Sequence, residues 1–194
     1  MFESLYSYAQ AATTTSPTAG AVSLIATYPS IEIPGGFFTA LGKKSSSVKL
    51  KAGGQLTMTA TVPTWLFGVA WTQATPAAFS ASNVLAATAA FTPTAVPAGA
   101  WWLMELDVTL RSIGLGVAST LLSVGQVSCP EAFAPTAYAQ ASGAARPMPA
   151  VGVSGVSGSV DVDQPLFLWP FVTLGAATAG NTVTTQYAKL YGEN

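Results

Sequence analysis

The chain has 194 residues, of which 50% are hydrophobic and only 8% are charged, and its formal net charge is −1 at pH 7. This composition excludes a nucleic-acid binder, because no basic excess is present to neutralise phosphates. The sequence has no histidine, the commonest general base and metal ligand, and its single cysteine, Cys129, excludes a disulfide within one chain. We expect part of this weakly charged surface to be covered by copies of the chain or by a partner.

Residues 1–35 differ from the rest of the chain and are interpreted as an N-terminal arm. Four apolar residues have helical spacing that allows a short helix: Phe2, Leu5, Tyr6 and Ala9. The Thr/Ser/Pro run at residues 13–18 is typical of a linker or an extended arm. Two alternatives stand side by side, an arm that reaches a neighbouring subunit and an N-terminal strand that pairs within its own domain.

Neither a secretory signal nor a transmembrane helix is predicted. Glu3 stands where a signal peptide needs positive charge, and no apolar region follows it. The interval between Lys51 and Glu105 is uncharged, but its densest apolar stretch, Trp65–Trp71, is too short to span a bilayer. We therefore expect no membrane partner.

From residue 36 onward, alternating apolar and polar residues predict strands separated by turns. The strands before residue 100 are predicted at residues 37–41, 48–51, 55–62, 65–71 and 84–91. Gly53 and Gly54 separate the second from the third and indicate a bend or bulge. The strand at 65–71 is apolar on both faces, which suits the interior of a sheet or an interface.

The clearest pattern in the chain lies between residues 101 and 129. Five apolar residues, each two positions from the last, predict the core-facing side of a long strand: Trp102, Met104, Leu106, Val108 and Leu110. Gly114 and Gly116 then break the pattern, and a second run at residues 120–129 is apolar on both sides. We predict a long antiparallel hairpin whose second strand is more buried than the first.

The remaining strands follow an irregular, partly low-complexity region at residues 130–159. One strand is predicted to start at residues 159–163 and to continue past Pro165 and Pro170, and the last strand is predicted at residues 182–191. About seven to nine strands with almost no helix predict an all-β, antiparallel β-sandwich, and the long connections favour jelly-roll-like crossovers.

Candidates for chemistry are weak. Glu105 and Asp107 lie on one strand face, about 7 Å apart, and are the best carboxylate pair for a glycosidase. Asp161 and Asp163 repeat this spacing, and the four carboxylates together are the candidate calcium ligands. Solvated surface charges explain both pairs more simply, and the Lys43–Ser46 run is better interpreted as an exposed turn than as Ser-Lys chemistry. We therefore predict no catalytic residue, no metal and no cofactor.

The five tryptophans offer a different kind of site. Together they could form a carbohydrate-binding platform, because large aromatic rings supply apolar contact area. In a β-sandwich, however, such rings more often belong to the core or to an interface, and we favour that interpretation.

Five stretches mark a succession of strands and turns between residues 36 and 194: Phe37–Gly42, Val48–Gly54, Trp102–Gly114, Gly125–Val127 and Asn181–Thr184. This succession resembles the jelly-roll structural proteins of tailed bacteriophages, especially those that infect actinobacteria. Such proteins occur as capsid decoration proteins and related virion components. The matching stretches carry no catalytic residue.

The resemblance implies a capsid decoration (cement) protein, which is made in the host cytoplasm and binds the outer surface of the assembled phage head without enzymatic activity. It also implies a homotrimer that contacts the major capsid protein, and the low charge fits obligate association. The alternative is a tail or fibre module that binds the host surface or its glycans. The chain then divides into an arm, residues 1–35, and a β-sandwich domain, residues 36–194. The candidate capsid or subunit contacts are Phe2, Leu5, Tyr6, Trp65 and Trp71.

Overall fold

The structure is a computed structural model that describes residues 2–8, 13–15, 20–25, 31–39, 47–59, 62–73, 79–80, 83–129, 132, 145–149, 160–176 and 178–193. For residues 2–8, 13–15, 97–98 and 193, only the backbone is described. Two antiparallel β-sheets pack face to face, and the prediction of an all-β, jelly-roll-like antiparallel β-sandwich is confirmed. Within the described residues, no helix is long and apolar enough to cross a membrane.

The larger sheet, called the long sheet here, has seven strands. In spatial order they are β1 (Phe2–Tyr8), β12 (Thr182–Glu193), β5 (Ser47–Met58), β8 (Val96–Ser112), β9 (Thr120–Ser128) and β10 (Ala145–Pro149), with β2 (Thr13–Thr15) also paired to β12. The short sheet has five strands. Its order is β3 (Val22–Ser23), β11 (Leu166–Leu174), β6 (Trp65–Thr72) and β7 (Val84–Ala87), with β4 (Ile31–Ile33) also paired to β11.

The chain passes repeatedly from one sheet to the other. It crosses from β5 to β6, returns from β7 to β8, and crosses again from β10 to β11 and from β11 to β12. The last two strands lie beside the first long ones, β12 next to β5 and β11 next to β6. These crossover connections are the kind predicted from the long irregular segments.

The core lies between the sheets, and β8 contributes its predicted face. The five alternating apolar residues from Trp102 to Leu110 are all buried, while Arg111 on the other face is exposed. Across the core, the ring of Phe67 on β6 lies 6.2 Å from the ring of Trp102. Alternation therefore predicted the buried side of this strand correctly, because one face packs on the short sheet and the other faces away from it.

Two buried hydroxyl groups connect the sheets through hydrogen bonds. Ser123 on β9 donates from Oγ to the carbonyl oxygen of Leu85 at 2.8 Å, and Thr185 on β12 donates from Oγ1 to the carbonyl oxygen of Leu24. Both hydroxyl-bearing residues are buried in the sandwich. Each bond satisfies a polar group that would otherwise be desolvated without a partner.

The prediction of a more buried second hairpin strand is wrong. Leu122 and Val124 on β9 are exposed, and Val124 retains 58% of its accessible surface. The strand alternates, but Ser123 occupies one of the inward positions because its hydroxyl has the carbonyl of Leu85 as a partner. The apolar residues on either side of it therefore project outward.

A β-bulge in β12 changes which of its residues face the core. Val183 and Thr185 are buried, but after the register shift between Thr185 and Tyr187 the buried residues are Ala188 and Leu190. The prediction that Val183, Thr185, Tyr187, Lys189 and Tyr191 share one face is therefore wrong beyond Thr185. Gly53 and Gly54, where a bend or bulge was predicted, lie within one continuous strand, β5. The bulge is in the opposite strand, β12.

Residues of the predicted arm pair with both sheets. The helical spacing near the N-terminus was misleading, because Phe2–Tyr8 forms strand β1 antiparallel to β12. Strands β3 and β4 pair with β11. Of the two alternatives for this segment, an arm that reaches a neighbouring subunit and a strand that pairs within its own domain, these pairings match the second. The domain boundary at residue 35 stays a prediction.

Four further strand predictions differ from the structure. Residues 35–39 form a turn, with Gly36 at φ 75°, where a strand was predicted at 37–41. The strand predicted at 55–62 ends with β5 at Met58, and the one predicted at 84–91 ends with β7 at Ala87. At residues 160–163 the structure has an isolated bridge from Val160 to Ser119 followed by a turn. Short-range turn bonds, such as that from Thr39 N–H to the Gly36 carbonyl oxygen, replace the expected ladder bonds.

Candidate functional site

The best carboxylate pair lies on the outer face of the long sheet, where each member has a lysine partner. Glu105 Oε1 is 2.8 Å from Lys51 Nζ, and Asp107 Oδ1 is 3.4 Å from Lys49 Nζ. The partners are directly opposite each other in the register of β5 and β8. The four side chains therefore form two neighbouring cross-strand ion pairs rather than two carboxylates across a cleft.

The pKa of Glu105 is shifted in the direction opposite to that of a glycosidase acid. The hydrogen bond from Lys51 lowers the pKa of Glu105, burial opposes this shift, and the same bond raises the pKa of Lys51. A general acid that works near neutral pH needs a raised carboxyl pKa. The pair is therefore charged at neutral pH and acts as a cross-strand electrostatic contact.

Glu105→Gln is expected to lower the free energy of unfolding at pH 7 by at most about 1 kcal/mol, because the ion pair is partly exposed. The lowered pKa of Glu105 gives stability that is present above the ordinary carboxyl value of 4.5 and is lost as the pH falls through the folded value. The raised pKa of Lys51 gives stability that is present below 10.5 and is lost as the pH rises through its folded value. Urea unfolding of the wild type and of Glu105→Gln should be measured from acidic to alkaline pH. The free energies of unfolding of the two proteins should become equal as the pH falls through the folded pKa of Glu105. An equal difference at every pH would contradict the assignment of the Lys51–Glu105 ion pair.

The candidate calcium ligands do not converge on a common point. Asp161 Oδ1 accepts the backbone N–H of Asp163 at 3.1 Å, which closes a local turn. Gln73 holds the backbone of Asp161 by bonds to both its N–H and its carbonyl oxygen. Within the described ranges, no three His, Cys, Asp or Glu side chains are grouped to hold a metal ion. The Lys43–Ser46 run lies outside the described residues.

The predicted contact residues lie in three different situations. Trp65 is completely buried and stacks on Phe67 at 5.8 Å, so its assignment as a capsid or subunit contact is wrong. Trp71 is half-buried against the core, and its contact role stays a prediction. Phe2, Leu5 and Tyr6 lie on β1, where side chains are outside the described part of the structure.

The tryptophans do not form a common platform. Trp65, Trp102 and Trp169 belong to the buried set, whereas Trp101 is 54% exposed on the outer side of β8. Adjacent positions of a strand point to opposite faces, which explains why Trp101 and Trp102 have opposite environments.

Among the residues that the structure describes, the largest group of exposed apolar side chains is at the turn of the β8–β9 hairpin. Ile113, Leu115 and Val117 are all exposed there, and Leu115 retains 97% of its accessible surface. We call these three residues the hairpin tip. Two further exposed apolar side chains, Leu122 and Val124, lie on β9 opposite Thr109 and Asp107 of β8. Isolated exposed apolar residues are ordinary, but a cluster of this kind marks an interaction surface.

Hydrogen bonds hold the base of this turn in place. The buried Ser119 accepts the N–H of Gly114 with its Oγ at 3.1 Å and donates to the Gly114 carbonyl oxygen at 3.2 Å. Its backbone exchanges two further bonds with Val160. A short 3-10 turn, Gly116–Ala118, forms the far end. The apolar side chains are therefore displayed on an anchored loop, which limits the entropy lost when a partner covers them.

Sequence reasoning recognised this segment only as a turn. The signal that could have identified it is the run Ile113-Gly114-Leu115-Gly116-Val117, in which large apolar residues alternate with glycines at a position where turns are usually polar. Leu122 and Val124 were recognised as part of an apolar run, in a strand that was predicted to be more buried than the first strand of the hairpin.

Comparison with known proteins leaves this chain without an assigned family. No family model matches the sequence, and no curated protein matches it. Among solved structures, lectin I-B4 from Griffonia simplicifolia in its metal-free form is similar at 10% sequence identity and a TM-score of 0.35, with 100% of this chain and 93% of the lectin chain covered.

Proposed function

We propose that this protein is a structural virion protein, a capsid decoration protein that binds the outer surface of an assembled phage head. Its contact surface is the hairpin tip together with Leu122 and Val124. The partner is the major capsid protein, and the contribution of this chain is mechanical, through protein–protein contacts that stabilise the shell.

The observation that carries the proposal is the exposure of five large apolar side chains on one anchored hairpin. Full burial of a Val, Leu or Ile side chain contributes about 1.5–3 kcal/mol, so a partner that covers the tip gains substantial free energy. A chain with only 8% charged residues has little long-range repulsion to oppose close packing on a protein shell. The resemblance of the strand succession to phage jelly-roll proteins supports the same role.

The first test compares capsid binding by the wild type and by a variant with Ile113→Ser, Leu115→Ser and Val117→Ser. The variant is expected to bind undecorated heads at least about 100-fold more weakly, because it loses three apolar contacts of about 1–2 kcal/mol each. Co-sedimentation with purified heads measures the affinity, and thermal melting checks that both proteins are folded. Trp101→Ala, which removes an exposed apolar side chain elsewhere, is the matched control. Undiminished binding by the triple variant would contradict the assignment of the tip.

The second test concerns assembly. We propose that the protein forms a homotrimer, in which sister subunits cover part of the weakly charged surface. Light scattering coupled to size-exclusion chromatography should give three times the mass of one 19.7 kDa chain. A monodisperse monomer at micromolar concentration would contradict this part of the proposal.

One observation favours the alternative function, a tail or fibre module that binds the host surface or its glycans. Trp101 is an exposed aromatic residue on a sheet face that also carries polar side chains. The two functions differ in where the protein sits in the virion, and locating it on the head or on the tail separates them.

A further inference from the structure

The outer face of the long sheet carries two aromatic residues on either side of a glycine. Trp101 on β8 lies opposite Gln55 on β5. In the next row of the same face, Leu103 on β8 lies opposite Gly53 on β5, and Gly53 lies opposite Tyr187 on β12. Trp101 and Tyr187 are therefore two residues apart along the strand direction and two strands apart across the sheet. Their Cα atoms lie about 12 Å from each other.

The ring of Tyr187 lies over the glycine. A Cβ atom added at Gly53 would come within 2.9 Å of both the hydroxyl oxygen and Cε1 of Tyr187. The absence of a side chain at Gly53 therefore lets the phenol ring extend from β12 across β5. Tyr187 is half-buried, Leu103 lies across Gly53 from it on β8, and the exposed Trp101 lies one row further along β8 on the same face.

Hydrogen-bonding groups border the two rings. Gln55 is exposed on one side, and the ion pair of Lys51 with Glu105 lies in the following row on the other side. Glu105 is also hydrogen-bonded by Gln126. Burial raises the pKa of Tyr187 above its ordinary value, so its hydroxyl remains a donor at neutral pH.

We propose that this surface, the Trp101 face, binds a neutral pyranose ring of an oligosaccharide. We define the Trp101 face as Trp101, Tyr187, Gln55, Lys51 and Glu105. The apolar C–H side of a pyranose ring packs on the electron-rich face of an aromatic ring, and its hydroxyl groups use the bordering amide, ammonium and carboxylate groups.

Charge and topology argue against other ligands. Lys51 and Glu105 neutralise each other as a pair, and Lys189, opposite Lys51 on β12, adds a single positive charge to the same row. A nucleic acid needs a larger basic excess than this one charge. A peptide that adds as a strand needs an open sheet edge, but around Tyr187 the central strand β5 is paired with β12 and β8, and β8 is paired with β5 and β9 from Leu103 onward.

The test uses cellotriose, maltotriose and chitotriose as probes, because they present pyranose rings in different linkages. At least one should bind with a Kd of about 0.1–10 mM by titration calorimetry, and it should protect tryptophan fluorescence from acrylamide quenching. Trp101→Ala should weaken this binding at least 10-fold, and Trp101→Phe should restore part of it. Tyr187→Phe should weaken it about 3- to 10-fold through the lost hydroxyl group.

The matched control is Leu115→Ala, which removes an exposed apolar side chain at the far end of β8. The control should bind the sugar like the wild type, and so should the hairpin-tip triple variant. The proposal is overturned if none of the three sugars binds at about 10 mM, or if Trp101→Ala binds as tightly as the wild type. Neither result affects the first capsid test, because the three residues substituted there, Ile113, Leu115 and Val117, lie beyond the end of β8 and are separated from Trp101 by eleven strand residues, about 35 Å.

Discussion

Trp102→Ala is expected to lower the free energy of unfolding by about 3–5 kcal/mol, whereas Trp101→Ala, one residue away, is expected to change it by less than about 1 kcal/mol. Trp102 retains only 2% of its accessible surface and packs against Phe67 of the opposite sheet. Its indole N–H also donates to the carbonyl oxygen of Thr184 at 3.4 Å. Truncation therefore removes apolar burial and leaves a cavity between the sheets.

Urea unfolding of the two variants gives this comparison directly, because both lose the same side chain. The midpoint for Trp102→Ala should fall well below that of the wild type, and the midpoint for Trp101→Ala should stay near it. Equal losses in the two variants would show that the buried and exposed faces of β8 are assigned incorrectly.

Gly54→Ala is expected to destabilise the protein by about 3 kcal/mol or more, although it adds only a methyl group. The added Cβ would lie 1.9 Å from the backbone carbonyl oxygen of Thr184, across the pairing of β5 with β12. A backbone atom in a paired strand cannot move aside as the end of a flexible side chain can. The two strands must therefore separate locally, at the β-bulge next to Tyr187.

The control for this substitution is Gln55→Ala at the neighbouring exposed position of β5, which should change stability by no more than about 0.5 kcal/mol. Thermal melting of both variants measures the difference. If Gly54→Ala melts together with Gln55→Ala, the close approach of the two strands at the bulge is not present in solution.

Local alternation predicted the fold class and the central strand because burial on β8 follows the pleat without interruption. Trp102, Leu106 and Leu110 are all buried on the face that alternation assigned to the core. The same reasoning failed for the second half of β12, because one extra residue in a bulge reverses the faces without a local signature. It also misplaced residues 2–8, whose partner on β12 lies at the other end of the chain.

The candidate site was harder to predict because hydrophobicity alone does not distinguish a core from an interface. Trp65 and Leu122 are both apolar strand residues, but Trp65 stacks in the core while Leu122 faces outward. The difference arises from Ser123, whose hydroxyl occupies an inward position through its bond to Leu85. Such a partner, 38 positions away in the chain, is visible only after the sheets are assembled.

The hairpin tip and Trp101 lie at different positions along the β8–β9 hairpin. The hairpin tip offers apolar side chains on an anchored turn, which suits a protein partner. The Trp101 face combines aromatic rings with hydrogen-bonding groups, which suits a small polar ligand. Variants of one surface are therefore natural controls for the other.

Electron cryomicroscopy of virions with and without the protein tests the proposal that it decorates the capsid. We expect additional density on the outer surface of the head, which fits the two-sheet sandwich with Leu115 directed toward the capsid shell. Density on the tail, or identical maps of the two particles, would contradict the proposed role.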